Sequence, residues 1–220
     1  AGLVYEFARQ TTTPLHADPL AVHRKMAAAT PRGAFRRILD WGCGTGASTV
    51  PFARLYPQAE LHGIDLAAPC LRLAAARAAG QGLRVHWSQQ AMEQTNFPDA
   101  CFDLVHSTFL LHELPRSALR QAVAEAYRIL APGGWFVNLD FHSPPGGIWG
   151  QFIHYGHARR NNEAFMRAFC TTDFAGLLAA SGFGAIEMRP FDDGTGLLAA
   201  DAIPSRWRFP WQLFLARKPA

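Results

Sequence analysis

The sequence predicts an α/β fold, a parallel sheet with helices covering both faces. Three observations carry this expectation. Short apolar runs alternate with helix-length segments over residues 36–142. A glycine-rich turn follows the first of these runs directly, and two further apolar runs close the chain after the alternation has stopped. Alternation at this spacing is the pattern of βαβ units, whose crossovers lay helices on both faces of a sheet.

The elements follow in order. "PLAVHRKMAAA" (19–29) begins at a proline and stops near Thr30–Pro31, the punctuation of a helix. "RRILDW" is a short buried strand, and "ASTVPFARLYP" a helix ended by Pro57. "AELHGIDL" is the second strand, followed by an Ala/Arg/Leu-rich helix over 69–79. "LRVHWSQ" and "FDLVHSTFLL" supply the third and fourth strands. Residues 116–130 place Leu119, Val123, Ala126, Tyr127 and Leu130 on one helical face. "APGG" (131–134) breaks that helix, and "WFVNLDF" is the fifth strand. "GIWGQFIHYGHARRNNEAFMRAF" reads as helical but lies outside the repeat. "TTDFAGLLAASGF" has a Thr/Asp start and a Gly182 stop, and "GAIEMRPF" and "WQLFLARK" are two closing strands.

The 220 residues are 49% hydrophobic and 17% charged, enough to bury a core and too apolar for a disordered chain. No apolar run approaches the roughly 20 residues that span a bilayer. The opening "AGLVYEFARQ" lacks a basic segment followed by an apolar one, so a cytoplasmic protein is expected. Cys43, Cys70, Cys101 and Cys170 are far apart with no CxxC spacing, which favours reduced thiols and argues against a disulfide framework or a zinc site. No metal is expected. The net charge of +4 comes from scattered basic residues, so neither a nucleic-acid partner nor a membrane span is expected.

Gly42, Gly44 and Gly46 sit at a strand-to-helix turn, where glycine lets the backbone bend and a ligand come close. The run even satisfies the dinucleotide pattern GxGxx(G/A). Asp40, two residues earlier, separates the readings. A pyrophosphate beside that carboxylate would be repelled, by several kcal/mol on an order-of-magnitude Coulomb estimate. A cationic ligand would be attracted. S-adenosylmethionine carries an ammonium and a sulfonium and no phosphate, so it is the expected cofactor. Asp65, about 20 residues past the glycines, suits the hydroxyls of a ribose and is neutral between NAD and an adenosine ligand.

"ILDWGCGTG", "LHGIDL", "FPDACFDLVHSTFLLHELP" and "ALRQAVAEAYRILAPGGWFVNLD" resemble, in order and spacing, the motifs of class I S-adenosylmethionine-dependent methyltransferases. The nearest likeness is to the small-molecule branch that includes the ubiquinone/menaquinone-type enzymes. The resemblance covers roughly residues 36–142. It implies a Rossmann-like, mostly parallel seven-stranded sheet with an antiparallel C-terminal hairpin. It also implies that Asp40 and the loop Gly42, Cys43, Gly44 and Gly46 hold the methionine part, with Ser107 at the end of strand four. Asp65 would hold the ribose, and Leu66 would pack on the adenine. The family usually carries an Asp–Ala pair before "FPD", whose carboxylate takes the adenine amino group. Here Ala91 and Met92 stand at those positions. The Met92 amide and thioether remain to meet the ring, with Glu93 or Gln90 to replace the carboxylate.

Under this reading the chain is one domain. It divides into a helical cap (1–35), a cofactor core (36–142), a helical substrate insert (143–170), and a closing helix and strands (171–220). Ligands of open α/β sheets bind beyond the carboxyl ends of the strands. His112, after strand four, and His142, after strand five, are therefore the candidate general bases for methyl transfer. His154, Tyr155, His157, Arg159 and Asn161 are the candidate substrate contacts, with His154, His157 and Asn161 at the i, i+3, i+7 spacing of one helix face. For any one of these histidines the plain alternative is a surface or capping role. The expected reaction moves a methyl group to oxygen or carbon, with nitrogen as a further case, of a small aromatic or apolar molecule. Two alternatives stay open: a protein that binds adenosylmethionine without methyl transfer, and a nucleic-acid methyltransferase. "STFLLH" stands where many of the latter carry a DPPY-like motif.

Overall fold

Strand β1 (Arg37–Trp41) is the topological switch point. On one side it pairs in parallel with β2 (Glu60–Asp65), which in turn pairs with β3 (His86–Gln89). On the other it pairs with β4 (Phe102–Thr108), and β4 with β5 (Leu130–Phe141). The computed structural model describes residues 20–141, 148–192, 196–197 and 211–220. Because parallel neighbours need crossovers, α1 (Ala21–Ala29), α2 (Thr49–Leu55), α3 (Ala68–Ala79) and α4 (Arg116–Ile129) flank the first five strands. Three more helices follow β5: α5 (Ile148–Asn161), α6 (Met166–Cys170) and α7 (Phe174–Ala180).

The last strands reverse direction. β8 (Trp211–Arg217) inserts antiparallel between β5 and β6 (Gly184–Asp192). An eighth strand, β7 (Gly196–Leu197), lies outside β6, giving the order β3-β2-β1-β4-β5-β8-β6-β7. The sheet thus has eight strands where seven are expected, because a two-residue strand is too short to show any alternation. β5 also begins earlier than expected. It starts at Leu130, so "APGG" belongs to the strand and takes up a register shift against Phe102 and Leu104.

Alternation along the strands sorts the core into two layers. Leu39, Val105 and Phe136 face α4 and α7, among Leu119, Val123 and Leu178. Ile38, Leu104 and Val137 face the other way, onto Met26 of α1 and Phe52 of α2. That parity decides the chemistry below, since Asp40 and His106 fall on the α1–α2 face and Ser107 and Asn138 on the α4 face.

The crossover from β3 to β4 has no helix, and side chains of α4 hold it instead. Glu125 accepts from the Thr95 amide at 2.7 Å and hydroxyl at 2.5 Å. Arg128 donates to both Glu125 oxygens, to the Phe97 carbonyl and to Asp99. Replacing Glu125 with Ala would leave a buried amide and half of a guanidinium unpaired. We expect Glu125→Ala to lower unfolding stability by about 2–3 kcal/mol, read from the urea midpoint, with the exposed Arg120→Ala changing it by less than about 0.5 kcal/mol.

Candidate functional site

The carboxyl ends of β1 and β4 lie side by side, so the turns that follow them face each other. After β1 the chain runs through Gly42, Gly44 and Gly46, all at positive φ. A Cβ at Gly42 would lie 2.5 Å from the Leu110 side chain, so the turn after β4 packs directly on the loop. A Cβ at Gly44 would meet nothing within 4 Å. That opening is where a ligand can approach the backbone. Asp65, at the end of β2, ties the loop down: one oxygen accepts from the Gly44 amide at 2.9 Å and the other from the Ala67 amide at 2.7 Å. Each carboxylate oxygen keeps a further lone pair. Leu66 beside it is 62% exposed, unusual for a leucine next to a loop this well packed.

Asp40 does not open onto this space. It is fully buried beneath the loop, its Oδ2 accepting from the Ser48 hydroxyl at 2.6 Å and the Thr49 hydroxyl at 2.5 Å. Burial pushes its pKa up to about 7, against the lowering pull of those two hydroxyls. The expectation that Asp40 itself meets a ligand ammonium is corrected: its carboxyl is buried beneath the loop. Ser107 is corrected as well. Its side chain is fully buried and donates to Asn138 Oδ1 at 2.6 Å, across the β4–β5 register. Met92 is 7% exposed and packed in the α4-side core, so its thioether is not free to cover a ring. Cys43 is buried in the loop, which pushes its thiol pKa up. Ala91 and Glu93 are partly exposed on the crossover after β3, where Ala91 bridges to Gln94. Gln90 turns inward to its own loop, accepting from the Asn96 amide at 2.7 Å.

The turn after β4 hangs on Asp140. One oxygen of this fully buried carboxylate accepts from the amides of Leu110 at 3.0 Å and Leu111 at 2.7 Å. The other accepts from the Phe141 amide at 2.7 Å and faces His112 Nδ1 at 2.6 Å. Burial alone would pull the imidazole pKa down, but the Asp140 carboxylate outweighs it and pushes it up to about 10, helped by Glu113 at 3.4 Å. The Asp140 carboxylate thus favours the charged form of His112, which counts against the expected general-base role there. A doubly protonated imidazole ring has no lone pair left to accept another proton.

The wall beyond the turn is aromatic. Phe109 takes φ +57°, a strained left-handed conformation for a bulky residue, and its ring lies 4.2 Å from that of Trp211. Trp211 also lies 4.9 Å from Phe141, and His112 meets Phe141 edge-on at 4.5 Å. No periodic signal marks these three rings as neighbours, because they come from three separate strand ends. Helix α6 packs against the turn Leu111–Glu113, and α5 against α6. Tyr155 of α5 lies under the Arg167 guanidinium at 5.3 Å, while Arg159 and Asn161 are exposed. His142 lies outside the described residues, as do the side chains of His154 and His157.

A 540 Å³ cleft opens at the opposite, amino-terminal edge, lined by Arg36, Arg37, Glu60, Cys101 and Asp103. Open α/β sheets bind ligands at the other end. Among the described residues, no group of three or more His, Cys, Asp or Glu is arranged to hold a metal, and no helix is long and apolar enough to cross a membrane.

A family model described as a methyltransferase domain matches residues 38–134. The chain is 33% identical over 155 residues to the demethylmenaquinone methyltransferase of Thermus thermophilus, covering 70% of this chain and 64% of that one. It spans about half to two thirds of the length of the first curated relatives it matches. Its fold superposes on phosphoethanolamine N-methyltransferase 2 of Haemonchus contortus in complex with S-adenosyl-L-methionine. There the TM-score is 0.67 at 19% identity, over 91% of this chain and 52% of that one. It superposes similarly on the 4+2 cyclase SpnF, with a TM-score of 0.66 at 21% identity, over 92% and 81% of the two chains.

The His112–Asp140 pair fixes the sign of one pH dependence. Folded His112 holds a proton that the unfolded chain releases above the ordinary imidazole value of 6.5. Stability from this pair is complete below 6.5 and is lost as pH rises through about 10. Urea unfolding should therefore show wild type losing stability between pH 7 and 10, at no more than about 1.4 kcal/mol per pH unit, relative to His112→Gln. A difference between the two proteins that stays constant over that range would show His112 to be neutral.

Proposed function

We propose that this chain is a class I S-adenosylmethionine-dependent methyltransferase and that it transfers a methyl group to a small aromatic or apolar acceptor. The observation that carries the proposal is the open face at Gly44, flanked by the Asp65 carboxylate and exposed Leu66, with a buried carboxyl rather than a phosphate-seeking cation beneath.

These residues fit the cofactor. Gly44 leaves room for the methionine part to lie against the backbone. The free lone pairs of Asp65 would accept from the ribose hydroxyls, and Leu66 would cover the adenine, a role that otherwise leaves its exposure unexplained. Ala91 and the Met92 amide would line the far edge of the adenine, with Glu93 in reach of its amino group. When bound, adenosylmethionine supplies an electrophilic methyl carbon on a sulfonium. The protein's share is then to orient the acceptor and exclude water. Phe109, Phe141 and Trp211 form an apolar wall for a flat ring. The relatives named demethylmenaquinone methyltransferase support a quinol-type acceptor. The insert, residues 143–170, would close the acceptor side through α6, with Tyr155, Arg159, Asn161, His154 and His157 as candidate contacts and His142 as the candidate base. Four free thiols support a reducing, cytoplasmic setting.

A second reading, catalysis on this scaffold without methyl transfer, draws on one observation. His112, on the turn after β4, has its pKa raised by the Asp140 carboxylate, which favours the protonated ring. Transfer of labelled methyl from adenosylmethionine to a naphthohydroquinone separates the two. Incorporation supports the first, while cofactor binding without incorporation into any of a panel of quinols, phenols and amines supports the second.

Calorimetry should find S-adenosylhomocysteine binding at micromolar levels and no binding of NAD. Asp65→Asn should weaken the former by about 2–3 kcal/mol, for two charge-assisted hydrogen bonds reduced to neutral ones. Unchanged affinity in a folded Asp65→Asn protein would remove Asp65 from the site, and binding of NAD alone would remove the cofactor assignment.

A further inference from the structure

Beneath the glycine loop lies a pair of buried titratable side chains that methyl transfer itself does not employ. Asp40 and His106 stand opposite each other in the β1–β4 register, 1% and 0% exposed. Every element around Asp40 contributes something. From α2 come the hydroxyls of Ser48 and Thr49, both on Oδ2. From β4 comes His106, whose Nδ1 stands 3.5 Å from Oδ1. From β2 comes a negative charge, that of Asp65, and the loop adds the buried Cys43 thiol, on which Asp40 acts in turn. Asp40 Oδ1 takes no hydrogen bond, and neither ring nitrogen of His106 makes one. The imidazole is held in place by stacking on Phe52, centroids 3.7 Å apart and planes 13° from parallel. A buried acceptor and a buried ring thus face each other with an unmade hydrogen bond between them, where groups of this kind are ordinarily satisfied.

We propose that binding of the cationic cofactor to this loop expels a proton from Asp40, and that His106 is the positioning residue that lets the carboxylate form. The proposal rests on the adenosylmethionine reading above. Without ligand, burial keeps Asp40 protonated below about pH 7, and the nearby Asp65 charge acts in the same direction. A ligand ammonium and sulfonium arriving at Gly42–Gly46 favour the anion instead. The anion needs donors on both oxygens. Ser48 and Thr49 serve Oδ2. His106, kept uncharged by burial that pulls its pKa down to about 3, serves Oδ1 through its Nδ1–H tautomer. In the step the Asp40 carboxyl O–H bond breaks and its proton is lost to the buffer, while the imidazole, uncharged before and after, presents Nδ1–H to Oδ1. One proton leaves, the imidazole stays neutral, and no redox partner is involved. A phenyl ring at 106 would preserve the stack on Phe52 and remove the donor.

The test is calorimetric titration of the full chain with S-adenosylmethionine between pH 5.5 and 7.0, in buffers of different ionisation enthalpy, with S-adenosylhomocysteine, which lacks the sulfonium charge, as the comparison. The ligand's own ammonium does not titrate in that range. Wild type should release close to one proton per ligand near pH 6, its affinity rising by up to about tenfold per pH unit. Asp40→Asn should abolish both effects. His106→Phe should move the midpoint of the affinity profile upward by about one pH unit, a change in profile that loss of packing alone would not produce. Carboxyl-carbon NMR of the ligand-free protein supplies a second reading, with Asp40 expected to titrate near 7. A wild-type affinity flat across the range, with heats independent of buffer, overturns the proposal, as does an Asp40 midpoint near 4. Failure of both S-adenosylmethionine and S-adenosylhomocysteine to bind at any pH overturns the cofactor reading itself and this coupling with it, an outcome plainly different from tight binding without proton release.

Discussion

The Asp140 carboxylate is the contact on which the functional end of the sheet depends. It is buried at the end of β5, yet it holds the turn that follows β4, taking the amides of Leu110, Leu111 and Phe141 and the His112 ring. That turn in turn presses Leu110 onto Gly42 and receives α6 on its outer side. One side chain therefore sets the spacing between the glycine loop, the central strand ends and the insert. Each of its oxygens has donors aimed at it, from three backbone amides and the His112 ring.

Asp40 is the counter-example within the same sheet. It is buried to the same degree, on the opposite face, with two hydroxyl donors and no cation at contact distance among the described residues. Desolvation wins, and the group sits near its titration point. The two aspartates differ in donor count, four donor groups around Asp140 and two hydroxyls on Asp40. Asp65 is partly exposed and shared by two amides, Gly44 and Ala67.

Much of this was legible in the residues themselves. Glycines at 42, 44 and 46 directly after an apolar strand announce a loop that must take positive φ, and the structure puts all three there. The five parallel strands follow from alternation, and so does the closing pair around β8. The extra strand β7 and the early start of β5 were not legible, because both rest on pairing partners distant in sequence. The aromatic wall of Phe109, Phe141 and Trp211 was hidden for the same reason. Phe109 adds strain that no turn residue signals, since the conformation is imposed by its neighbours.

The sequence by itself determined residue types, periodicity and order: which segments are strands, which turn is rich in glycine, and which carboxylates lie near the ends of β1 and β2. Those are local properties, set within a few residues by sterics and by the periods of strand and helix. Only the tertiary structure decided protonation and orientation. Whether Asp40 faced a ligand or the core followed from strand parity and from the helix α2 packed on that face. Which protonation state of His112 is favoured followed from Asp140, 28 residues further along the chain. Charge state in a folded protein depends on desolvation and on the nearest opposite charge, and both are set by residues the chain brings together only when it closes.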